Sequence, residues 1–221
     1  MKSIIFIAPP AAGKGTQSDL LKNYYHIPHI SVGDLLREVA THEDDLGRTI
    51  REVQKQGGLV DDNVVTEILK QRISQPDCDN GYILDGYPRN EQQMLHYEAM
   101  LNEMNKELGY VIFLDIDREL ATKRMLGRLN CPNCGATYNE YFEEVKPQEP
   151  GICDRCHHKL QKRHDDNEES FKIRFDIYEN LTKTLLDHYK KNKNFKTIHC
   201  DNLSKQEIFD TIREILEGQN D

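Results

Sequence analysis

Ser3-Ile-Ile-Phe-Ile-Ala8-Pro-Pro-Ala11-Ala12-Gly13-Lys14-Gly15-Thr16-Gln17 is an apolar run, a turn of small residues and a lysine that opens a helix. The run has the make-up of a buried strand. The small residues let backbone N–H groups turn inward, and Lys14 sets a positive charge where the helix begins, which together make a phosphate cradle. The ligand it suits is a nucleotide polyphosphate. Two departures from GxxxxGK[ST] stand out: Ala8 replaces the first glycine, and Gly15 pushes the hydroxyl back to Thr16. Alanine crowds the cradle wherever the backbone needs positive φ. The amides nearest the phosphates lie further along, so the loop is expected to tolerate Ala8.

The 221 residues suffice for one substantial α/β core with insertions. No apolar run is long enough for a membrane span or a signal peptide, so the expected setting is cytoplasmic. A net charge of −9 argues against nucleic acid as a partner. Local positive sites in an acidic body suit small anionic ligands.

Helical spacing is expected from Gly15 to Tyr25, and a short β-like run at Ile27–Ser31 leads to a helix with Asp34 placed as its cap. Residues 31–60 read as a small helical insert ending at Gly57-Gly58-Leu59-Val60, after which Asp61 starts another helix. The run 81–85 is a strand that delivers Asp85-Gly86-Tyr87-Pro88-Arg89 to its carboxyl end, where ligands of open parallel sheets bind. A helix over 90–106 and the apolar strand Tyr110–Ile116 follow, then a helix over 120–129 carrying Arg124 and Arg128. A strand over 196–200 precedes a last amphipathic helix, 204–216. Alternating strands and helices give a parallel sheet with right-handed crossovers.

Cys131-Pro-Asn-Cys134 and Cys153-Asp-Arg-Cys156 are two knuckles separated by eighteen residues. Four thiolates at this spacing close a tetrahedron around a structural Zn²⁺ with no open position; vicinal dithiols or disulfides are the alternative. His157 and His158 are spare ligands that read as solvent-exposed.

The ordered set Ala11-Ala-Gly-Lys14-Gly-Thr16-Gln17, His29-Ile-Ser-Val-Gly-Asp34-Leu-Leu-Arg37, Gly58-Leu59-Val60, Leu84-Asp85-Gly86-Tyr87-Pro88-Arg89, Gly127-Arg128 and Arg163-His-Asp165-Asp166-Asn-Glu-Glu169 closely resembles the adenylate kinase family, in its bacterial type with a zinc-bearing lid. The resemblance spans nearly the whole chain, and Gly15 belongs to its pattern. It implies a P-loop nucleoside monophosphate kinase fold: a five-stranded parallel sheet flanked by helices (1–30, 61–126 and 167–221), an insert at 31–60 for the nucleoside monophosphate, and a zinc-binding lid at 127–166. The implied reaction is ATP + AMP ⇌ 2 ADP in a monomer.

By that resemblance, Ala11, Ala12, Gly13, Lys14, Gly15 and Thr16 hold the donor phosphates. Arg128, Arg163 and Arg174 converge on the transferred group, a task suited to bidentate guanidinium groups. Arg37 and Arg89 take the AMP phosphate, with Arg163 and Arg174 bridging toward it. Arg124, Thr137, Tyr138 and Asn202 lie by the donor nucleotide. Val32, Gly58, Leu59, Val60, Gly86 and Gln93 frame the acceptor, the Gln93 amide offering adenine a donor and an acceptor. Mg²⁺ rides on ATP, its waters held by Asp85 and by Asp34, unless Asp34 only caps its helix. Val32 departs from the family's hydroxyl residue, and Asn90 after Arg89 resembles the UMP/CMP kinases. Acceptor choice therefore stays open to UMP or CMP, and donor choice to GTP, while Leu59, Val60 and Gln93 favour AMP. A rival of another class is a non-catalytic nucleotide-sensing zinc-ribbon interaction protein.

Overall fold

The computed structural model describes residues 2–55, 58–162 and 166–218. Five parallel strands form the central sheet: β1 (Ile4–Ile7), β2 (His29–Ser31), β3 (Ile83–Asp85), β4 (Tyr110–Asp115) and a late strand, Phe195–His199, in the spatial order β2, β3, β1, β4 and the late strand. All four residues of β1 are buried, as expected when helices cover both faces of a parallel sheet. Register places Phe6 beside Asp85, and Asp85 beside Ser31. The ends of β1, β3 and β2 therefore open side by side at one edge of the sheet.

Helices α1 (Lys14–Tyr25), α2 (Val32–Val39), α3 (Asp45–Lys55), α4 (Asp62–Ile73), α5 (Glu91–Glu103) and α6 (Arg118–Leu126) follow in chain order. Asp61, Asn90 and Asp117 cap α4, α5 and α6 through their side chains. The cap of α2 is Ser31, which accepts from the Asp34 N–H at 3.2 Å, so Asp34 does not fill the capping role assigned to it from sequence. A side chain three residues closer to the strand reaches the free N–H first.

The helix expected over 120–129 stops at Leu126. Gly127 ends it, and Arg128–Asn130 becomes β5, paired antiparallel with β6 (Thr137–Asn139). A Cβ on Gly127 would stand 2.3 Å from Asn139 Oδ1, so the close approach of β6 requires glycine there. Helix α7 (Glu168–Ile177), capped by Asn167, runs into a π-helical turn, Tyr178–Thr182, then α8 (Leu185–Tyr189), the fifth sheet strand β7 (Phe195–His199) and α9 (Lys205–Glu217). A reciprocal Ser204–Glu207 capping box opens α9.

Candidate active site

Helix α1 is built differently from its capped neighbours. Its N-cap is Gly13 at φ 99°, with no side-chain acceptor and no acid in the first turn. The first N–H groups of α1 thus face an anion's position without a competing carboxylate. The strained residue of the loop is Ala11, at φ 62°, and not Ala8. Ala8 instead supplies a carbonyl that accepts from Lys14 Nζ at 3.2 Å, with Pro9 O at 3.3 Å. Burial pulls the Lys14 pKa down to about 8, against the attraction of Asp85; Arg89, Arg174 and Arg128 push the same way as burial.

All of these residues but Pro9 line a cleft of about 1940 Å³ at the carboxyl ends of the strands. On its floor, burial disfavours the ionised Asp85, but His29, Lys14 and Arg89 outweigh it and hold the carboxyl below its ordinary range. Sequence reasoning gave His29 no role. It lies 3.8 Å from Asp85 and 3.6 Å from Asp19, and although burial opposes its charge, the two carboxylates raise its pKa to about 9. A lone strand histidine carries no signal of such a position, because Asp85 arrives from another strand.

Arg89 donates from Nε to Gly86 O at 2.8 Å. Gly86 has φ 82°, and a Cβ there would come within 3.2 Å of the Arg89 guanidinium, so glycine serves both backbone and neighbour. The π-helical turn seats Thr182 Oγ1 on Arg89 O at 2.9 Å. Arg128 makes a two-pronged ion pair with Asp166, Nε to Oδ2 at 2.8 Å, and Arg174 Nη1 lies 3.9 Å from the same carboxylate. Arg163 lies outside the described residues.

Of the residues expected around the acceptor, Val32, Gly58, Leu59, Val60, Gly86 and Gln93 all line the cleft. Arg37 binds Asp34 through Nε at 3.2 Å and through Nη2, and both side chains are exposed. The Gln93 amide is partly engaged: its Oε1 accepts from Arg89 N–H at 2.8 Å and its Nε2 donates to Asp62 at 2.7 Å.

Among the residues expected around the donor, Arg124 Nη1 lies 3.5 Å from Ala12 O and its guanidinium carbon 5.9 Å from the Phe142 ring centroid, so Phe142 joins the cleft wall as a partner unforeseen from sequence. Thr137 and Asn202 line the same wall. Tyr138 also lines it while its hydroxyl accepts from Asp154 N–H and touches Cys153 Sγ at 3.5 Å, tying the cleft wall to the cysteines. Gln17, buried, donates to Lys205 O at 2.9 Å and fastens α1 to the start of α9.

The sulfurs of Cys131, Cys134, Cys153 and Cys156 all lie within 4.8 Å of one another. The pairs Cys131–Cys156 and Cys134–Cys153 stand at 3.3 and 3.5 Å, near the edge of about 3.8 Å for a tetrahedron with bonds of about 2.3 Å to Zn²⁺. The cluster can hold a metal. Its knuckles match: Gly135 and His157 each donate to the carbonyl of the first cysteine four residues earlier, and each has positive φ. His157 and His158 are exposed.

An uncapped loop-helix start, a half-buried lysine and several arginines lining a cleft at the mouth of one parallel sheet are the apparatus of a P-loop nucleotide phosphotransferase. The family model described as Adenylate kinase matches residues 6–194. A protein named Adenylate kinase from Caldicellulosiruptor bescii is 39% identical over 215 residues, covering 97% of each chain. Others of that name from Archaeoglobus fulgidus and Rickettsia bellii are 42% identical over 189 residues (86% of each chain) and 41% over 214 (96% of this chain, 98% of the other). The chain belongs to the adenylate kinase family.

Proposed function

We propose that this protein transfers the terminal phosphoryl group of MgATP to AMP, giving two ADP, as a cytoplasmic monomer. The observation that carries the reading is the convergence of Lys14, Arg89, Arg128 and Arg174 on one cleft around Asp85. Phosphoryl transfer needs little covalent help: alignment, charge neutralisation and water exclusion do the work. The loop amides of 11–16 and Lys14 hold the donor phosphates. Arg128, Arg163 and Arg174 stabilise the transferred group, and Arg37 and Arg89 anchor the AMP phosphate. Arg124, Thr137, Tyr138 and Asn202 flank the donor, and Val32, Gly58, Leu59, Val60, Gly86 and Gln93 the acceptor.

Asp85, ionised and facing the cleft, fits the role of holding the waters of Mg²⁺, with Asp34 as a further carboxylate at the rim. Held there, the ion would supply positive charge that neutralises the donor phosphates. The four cysteines fit Zn²⁺, which would brace the segment 127–166 as a lid, while 31–60 acts as the acceptor insert on the core 1–30, 61–126 and 167–221. A coupled assay pairing ATP or GTP with AMP, CMP, UMP or GMP tests the reading. The expected result is turnover led by ATP with AMP; no turnover with any pair overturns it in favour of a binding protein.

A further inference from the structure

Asp62, the first residue of α4, and Gln93, in the first turn of α5, come from elements far apart in the chain, yet they share a hydrogen bond of 2.7 Å. Asn90 Nδ2 adds contacts of 3.2 Å to both Asp62 oxygens, and Asn90 Oδ1 accepts from the Gln93 backbone N–H at 2.8 Å. The orientation of the Gln93 amide follows from chemistry. The Arg89 N–H can only donate, so it faces Oε1, and the Asp62 carboxylate only accepts, so it faces Nε2. One N–H of Nε2 is spent on Asp62. The other has no partner among the described residues, on a side chain 3% exposed that lines the cleft.

A donor held in this way discriminates between bases. The ring nitrogen N1 of adenine, or N3 of cytosine, offers a lone pair, whereas N1 of guanine and N3 of uracil carry a hydrogen and would oppose donor to donor. We propose that Asp62 is a specificity-determining positioning residue: by anchoring Gln93 with its free N–H toward the cleft, it selects acceptor nucleotides whose ring nitrogen has a lone pair. This rests on the acceptor reading above. It also gives Asn90 a place as a brace for Asp62 and not as a base contact.

The test compares AMP with 1-deaza-AMP, in which C–H replaces N1 alone, as acceptors for the whole protein. The intact enzyme is expected to lose about tenfold in kcat/KM on the deaza compound, through KM with kcat retained, the worth of one well-placed hydrogen bond. Asp62→Ala frees the amide and should shrink that gap to about twofold; Asp62→Asn, whose carbonyl still accepts, should restore most of it. Gln93→Met should show no gap, which keeps the test decisive if Asp62→Ala folds poorly. A full gap in Asp62→Ala or in Gln93→Met, or no gap in the intact enzyme, overturns the proposal. Absence of turnover on AMP itself would instead overturn the acceptor reading beneath it.

Discussion

Arg128 is clasped by the Asp166 carboxylate, whose side chain is only 1% exposed, and Arg174 borders the same group. The two cations proposed to meet the phosphoryl group are thus held by one buried anion. Asp166→Asn keeps the shape but removes the charge that holds them together, and kcat should fall about tenfold or more through lost alignment. Single-turnover kinetics would read this directly. An unchanged rate would remove Asp166 from the machinery.

Lys14 has its pKa pulled down to about 8, so its charge is lost as the pH climbs past that value. In the proposed role the ammonium is the form that meets phosphate, so kcat/KM for ATP should decline on the alkaline side with an apparent pKa near 8. Lys14→Met should nearly abolish turnover at every pH. A profile flat to about pH 9.5 would contradict the assignment.

His29 titrates in the opposite sense, with its pKa raised from 6.5 to about 9. A raised histidine stabilises the fold fully below its unfolded pKa, and that stabilisation disappears as pH rises through the folded value. Urea unfolding should show the native protein losing stability between about pH 6.5 and pH 9 relative to His29→Gln. Parallel curves for the two proteins would mean that the Asp19 and Asp85 contacts do not hold in solution.

The cysteine cluster should carry about one zinc per chain, with thiols that react only after chelation. Stripping the metal should unfold the β5–β6 segment, lowering the temperature at which activity is lost while the central sheet stays folded. Zinc well below one per chain, with four freely titrating thiols, would rule the metal out.

The strands Ile4–Ile7 and Tyr110–Asp115 were legible because burial on both faces writes an unbroken apolar run. The cysteine knuckles were legible because ligand spacing is local. Arg128 was misplaced on a helix, since the choice between helix and strand there is made by pairing with Thr137–Asn139 and by the space that Gly127 leaves for Asn139. At Ala8 the motif shows a substitution and not a dihedral; the loop tolerates it as expected, since the positive φ belongs to Ala11. The pairings of His29 with Asp85 and of Asp62 with Gln93 are not legible in the sequence, because each is made by packing between separate elements, which no short pattern records.

The two knuckles are near copies of one turn, and each presents two sulfurs, half of a tetrahedron. Neither half can satisfy an ion alone, so the second pair of bonds forms only when the intervening segment folds back. Capture of an ion there would therefore need both knuckles at once. A culture short of metal should then hold two populations, loaded chains and bare ones, which mass spectrometry under native conditions would resolve as two peaks one zinc apart.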